Sequence, residues 1–202
     1  MSRLRIAPIV EGHGEDLAVR ILLQRLWTEV LGQEYVEVLK PIRSNRAKMI
    51  RSRELERALD LAVLKLRSPG ASDPALVLIM LDADEDLACV LGPDLLQRAQ
   101  AHRSDADISC VVATVEYETW FVAAAESLAE LLNLSDETIP QSPESSRSGK
   151  AWIQKRFKGI KYSPTVDQPA MTSRMDLRLA RMRSPSFDKL CRELEKRLET
   201  PR

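Results

Sequence analysis

Carboxylates recur in three short clusters: Glu11 and Glu15 in VEGHGE, Asp82, Asp84 and Asp86 in LDADED, and Glu116 and Glu118 in VEYE. Each is charged at neutral pH, and like charges brought together in a fold repel one another. Clusters that converge therefore call for a positive group between them. All-oxygen donors suit a hard divalent cation, Mg²⁺ or Mn²⁺. If LDADED is extended, Asp82, Asp84 and Asp86 share one face, because side chains two apart point the same way. The glycine and terminal glutamate spacing of an EF-hand is missing, and no GxxxxGK[ST] loop exists to cradle a nucleotide. No GxSxG elbow supports a serine nucleophile.

VEGHGE has the form of a strand-to-helix turn. Gly12 and Gly14 let the backbone bend sharply and approach a ligand, and the free amides of the next helix offer an anion pocket. The spacing departs from GxGxxG, and Glu11 would repel a phosphate unless a metal bridged them, which disfavours a dinucleotide site. Glu15 also fits a plain helix-start acid, favoured there by the helix dipole. His13 and His102 are the only histidines; His13 reads as a loop residue and His102 as structural. Trp120 and Phe121 read as core residues.

The elements that must position these acids follow from periodicity. Apolar runs at 4–10, 75–81 and 108–115 read as buried strands, and 35–42 as a further strand stopped by Pro41. Helical spacing marks 15–31, 52–67, 93–102, a stretch from 119, and then 150–157, 168–182 and 186–199. SPGASDP near residue 70 is a break. The alternation predicts the α/β class, a mostly parallel sheet flanked by helices, with a helical C-terminal part. Residues 1–139 are expected to form the α/β domain, 140–149 a flexible Pro/Ser-rich loop, and 150–202 a basic helical extension packed on the same domain. Glu11, Asp82 and Glu116 would each follow the carboxyl end of a different strand, where ligands of such sheets gather.

A formal net charge of zero conceals an asymmetry. Residues 1–144 hold 15 Lys/Arg against 24 Asp/Glu, while 145–202 hold 15 against 6. A basic segment, Arg43, Arg46, Lys48, Arg51, Arg53 and Arg57, interrupts the acidic part. Basic surface beside an acidic metal site suits a protein that handles a polyanion; solvated helix faces are the competing reading. No apolar run approaches a bilayer span, the N-terminus lacks a signal-peptide pattern, and Cys89, Cys110 and Cys191 suit reduced thiols. A cytoplasmic protein without membrane contact is expected.

EGxxE after the first strand, followed by DxD after a hydrophobic strand, resembles the TOPRIM fold of topoisomerases, bacterial primases and overcoming-lysogenization-defect nucleases. With VEYETWF and KYSPTVDQPAMTSRMDLRLARMRSPSF, the chain looks more narrowly like a small bacterial family catalogued as a domain of unknown function, DUF4276, and regarded as TOPRIM-like. That resemblance extends over most of the chain. It implies Glu11 as metal ligand or general acid–base, Asp82 and Asp84 as Mg²⁺ ligands, Glu118 as a supporting ligand and Glu15 as a supporting catalytic acid. It also implies a basic residue near the scissile phosphate, for which Lys158 and Lys161 are candidates. A metal-dependent nuclease is then expected, acting on DNA ahead of RNA, beside an ABC/SMC-like ATPase partner in phage defence. Arg43, Arg46, Lys48 and Arg51 would hold the nucleic acid with Lys158 and Lys161. The alternative is a non-catalytic module that senses nucleic acid or binds the ATPase. Phosphoryl transfer to small molecules or nucleotides is a third reading, weakened by the missing phosphate loop.

Overall fold

The computed structural model describes residues 4–67, 74–134, 139–145, 148–159 and 161–199. The break expected near residue 70 lies mostly outside them, as do residues 146 and 147 of the expected loop. Five strands form one sheet: β1 (Arg5–Val10), β2 (Glu37–Val38), β3 (Ile42–Arg43), β4 (Ala75–Asp82) and β5 (Ile108–Ala113). The order is β2-β1-β4-β5, with β3 also pairing with β1, and every pairing is parallel.

Burial on both faces explains the continuous apolar strands. Leu76, Leu78 and Met80 of β4 face one core with Ile6, Val10 and Val111, whereas Val77, Ile79 and Leu81 face a second with Ile9, Cys110 and Val112. A period of two divides each strand between the layers. Helices α1 (His13–Arg25) and α5 (Glu118–Ala123) cover the first face, with α6 (Gly149–Arg156), α7 (Pro164–Thr172), α8 (Leu177–Arg183) and α9 (Pro185–Glu199). The second face packs against α3 (Glu54–Leu66) and α4 (Ala88–His102), with α2 (Arg46–Arg51) beside them. This is an α/β fold with a parallel sheet between two helical layers.

The single strand expected over 35–42 is instead two short pieces, β2 and β3. The amides of Glu37, Leu39 and Ser44 donate to the carbonyls of Leu4, Ile6 and Val10, so even-numbered β1 residues address that side. Pro8 belongs to the same set but has no N–H to offer. The partner chain leaves the ladder opposite it, helped by Pro41, and rejoins at Ile42. Three helical expectations also divide, the first because 15–31 is α1 followed by a π-helical turn at Leu26–Val30. The stretch from 119 is α5 and then a 3₁₀ turn at Ala125–Leu128, and 168–182 is α7 and α8. The basic loop expected before α3 contains α2, capped by the Asn45 side chain accepting from the Lys48 amide at 3.1 Å.

Candidate functional site

Parallel pairing sends the carboxyl ends of β1, β4 and β5 to one edge, and the acidic side chains follow. Glu11 leaves β1, Asp82 ends β4, and Glu118 opens α5 beyond β5. Glu15 lies in the first turn of α1, where Oε2 accepts from the amides of Glu11 at 3.0 Å and Gly12 at 3.2 Å. Its helix-start role is therefore real. It is also buried, and burial with the charges of Glu11 and Glu118 pushes its pKa up to about 7 against those two amides.

Asp82 accepts from the Tyr117 amide at 2.8 Å. Burial, then Glu15, Glu118 and Glu11, hold its carboxyl well above the usual carboxylate range. Glu11 is raised by burial and by Asp84, partly offset by the Arg46 guanidinium, the Arg46 backbone amide and Lys150. Glu118 is 1% exposed and also raised by burial. Its Oε1 accepts from the Tyr162 hydroxyl at 3.1 Å and Gln168 Nε2 at 3.4 Å, with Lys150 Nζ at 3.8 Å. Burial works against the Lys150 charge, but Glu118, Glu116, Asp82 and Glu15 outweigh it and raise its pKa. Four acids thus share one field with a single close ammonium.

Two strained turns shape this edge. Among the described residues, Asp84 (φ 50°) and Val115 (φ 65°) are the non-glycine residues with positive φ. The Glu116 amide donates to the Thr114 carbonyl at 3.0 Å, which makes Val115 the centre of a γ-turn of the rare, strained hand. The Asp84 amide donates to the Val115 carbonyl at 2.8 Å and ties the turns together. Such conformations cost on the order of 1–3 kcal/mol and concentrate at functional sites.

The turn at Asp84 separates the acids of LDADED, so they do not share one face. Asp84, 3.4 Å from Arg46 Nη1, and Asp86, bonded to Arg46 Nη2, both turn to that guanidinium. Arg46 also donates to the carbonyls of Asp82 at 2.8 Å and Ala83 at 2.7 Å, so it braces the loop. A cleft of about 580 Å³ opens beside it, lined by Arg51, Asp84, Glu85, Asp86 and Glu116 among others. Arg43 is exposed, its Nη1 2.5 Å from His13 Nδ1. Among the described residues, Lys48 and Arg51 make no ion pair within the chain. Lys158 donates to the Ala129 carbonyl at 2.6 Å, and no described contact joins it or Lys161 to the acids.

Besides Arg46, Lys150 is the basic residue that reaches the acids among the described residues, and no sequence motif marks it. The neighbouring Gly149 permits the approach. A Cβ there would lie 2.6 Å from the Thr119 amide nitrogen, so the start of α6 presses directly on α5. Tyr162 and Gln168 meet Glu118 only when α7 and the residues before it dock beside α5. His102 pairs with Asp60 at 3.0 Å, and Trp120 and Phe121 are buried, as expected.

The donor set is all oxygen and its charge is unbalanced, which fits a hard divalent cation. Among the described residues, no three His, Cys, Asp or Glu side chains already form a ligand cluster. Mg²⁺ commonly takes one or two carboxylates and completes its shell with waters and phosphate oxygens, so the residues fit that mode and not an all-protein cage. Glu11, which leaves β1, and Asp82, which ends β4, are the candidate ligands.

Fold and site together define an α/β protein with an acidic centre at the carboxyl edge of a parallel sheet. The chain matches the family described as a domain of unknown function, DUF4276, over residues 10–195, and it belongs to that family. No curated protein and no solved structure matches it. No described helix is long and apolar enough to cross a membrane.

Proposed function

We propose that this protein is a TOPRIM-like, Mg²⁺- or Mn²⁺-dependent nuclease that hydrolyses phosphodiester bonds, DNA ahead of RNA. The observation that carries this reading is the convergence of Glu11, Glu15, Asp82 and Glu118, from three strand ends, around one lysine. A bound divalent cation would supply Lewis acidity at phosphorus and a water acidified toward hydroxide. Glu11 and Asp82 would hold it. Lys150, whose Nζ lies 3.8 Å from Glu118 Oε1, would offer its ammonium to charge developing on a phosphate. Glu15, its pKa pushed up to about 7, can carry a proton near neutrality, and burial shifts Glu118 in the same direction. Arg51, which lines the cleft, would hold a phosphate backbone together with Arg43 and Lys48. An ABC/SMC-like ATPase partner and a place in phage defence complete the proposal.

The test is cleavage of labelled single- and double-stranded DNA and RNA with Mg²⁺, Mn²⁺ or EDTA, with and without the ATPase. Metal-dependent cleavage should fall by on the order of 10³ in Asp82→Asn and Glu11→Gln. No cleavage under any of these conditions would refute it. Glu118 already bonded to Tyr162, Gln168 and Lys150 favours a second reading, a non-catalytic module that senses nucleic acid or binds the ATPase. In that case, alanine at the acids shifts the melting temperature and leaves complex formation intact.

A further inference from the structure

Glu116 looks from its sequence position like one more solvated acid beside the site. Its two oxygens are nonetheless both engaged on a single distant element. Oε1 accepts from Ser148 Oγ at 2.8 Å, and Oε2 accepts from the Lys150 backbone amide at 2.9 Å. Ser148 is the N-cap of α6, and its Oγ accepts in turn from the Ala151 amide at 3.1 Å. Two of the amides that a helix start leaves unbonded are thereby satisfied, one of them by a carboxylate from another part of the chain.

We infer that Glu116 is the positioning residue for Lys150: it docks the first turn of α6 so that the Lys150 ammonium is held against Glu118. Three features make the dock directional. The strained turn at Val115 fixes how Glu116 leaves β5. Gly149 allows the backbone of α6 to close on Thr119, where a Cβ would collide. Residue 150 is then the first side chain of α6 able to reach the acids, and its Nζ is 3.8 Å from Glu118 Oε1. Lys150 itself is half exposed, so its own packing restrains it only in part. The catalytic consequence rests on the nuclease reading, whereas the docking does not.

The experiment has two arms on the full chain. Hydrogen exchange over 148–157 compares the wild type with Glu116→Ala and Glu116→Gln. The alanine variant should exchange at least about tenfold faster at the amides of residues 150 and 151 than the wild type, and the glutamine variant, which keeps one acceptor, should fall between them. Unchanged exchange at those amides in a folded alanine variant would overturn the dock. In the second arm, kcat for phosphodiester cleavage is measured for Glu116→Ala, Lys150→Met and the double variant. The double variant should be no slower than Lys150→Met alone, with KM little changed, because both substitutions remove one effect. Losses that multiply would show that Glu116 does not act through Lys150. If the wild type cleaves nothing, the nuclease reading falls and the exchange arm still decides the dock.

Discussion

Glu15 shows how one carboxylate serves structure and site together. Its Oε2 closes the start of α1, while burial and its acidic neighbours raise its pKa to about 7 from an ordinary 4.5. A native state that keeps a proton the unfolded chain has released loses stability as pH rises. The Glu15 contribution is thus fully present below about pH 4.5 and is lost as pH passes 7, a change of about 3 kcal/mol. Asp82 and Glu118 are raised too and act in the same direction. Metal-free protein should therefore melt at progressively lower temperature from pH 5 to 8 in a calorimetric series. Millimolar Mg²⁺ should recover the loss at pH 8 and do little at pH 5. Glu15→Gln keeps an acceptor for both amides and should flatten the slope. Asp82→Asn keeps an acceptor for Tyr117 and should raise the metal-free melting temperature at pH 8 while cleavage is lost.

At the level of elements, the site depends on turns and close approaches more than on the strands that lead to them. Gly149→Ala places a methyl group 2.6 Å from backbone that cannot step aside, and overpacking of that kind costs about 1–3 kcal/mol. Denaturant melts should show that loss. Val115→Gly relieves a β-branched residue at φ 65°, so it should melt no lower than the wild type despite the greater freedom glycine has when unfolded. The strands themselves were readable because burial on both faces leaves continuous apolar runs, and 75–81 and 108–115 fall on β4 and β5 within two residues. What apolar periodicity does not record is where backbone groups point. Pro8 interrupts the ladder that β2 and β3 would otherwise complete, and the left-handed residue at Asp84 turns two of the three LDADED acids toward Arg46. For the same reason Glu11 and Asp82 could be placed from the sequence, whereas Lys150 could not. Its position depends on a contact between α5 and α6 across the Pro/Ser-rich stretch, which no local pattern carries.

Across the whole molecule, the C-terminal helices complete the core. Ile153, Tyr162, Met171, Phe187, Leu190 and Leu194 belong to the same buried cluster as Ile6, Leu78 and Val111. A chain ending at residue 145 should melt at lower temperature and with lower cooperativity, because part of that buried cluster would be exposed. Several cations of that C-terminal part are held in ion pairs within the chain. Arg181 pairs with Asp188 and Glu195, Arg183 with Glu126, and Arg197 with Asp107 and Glu193. On the proposed reading, the polyanion would be held by Arg43, Lys48 and Arg51, of which Arg51 lines the cleft. The central claim is that this edge holds a divalent cation, and anomalous diffraction from crystals soaked in Mn²⁺ tests it most directly. The predicted result is an anomalous peak about 2.2 Å from carboxylate oxygens of Glu11 and Asp82, absent in Asp82→Asn. Saturating Mn²⁺ with well-ordered carboxylates and no peak at that edge would contradict it.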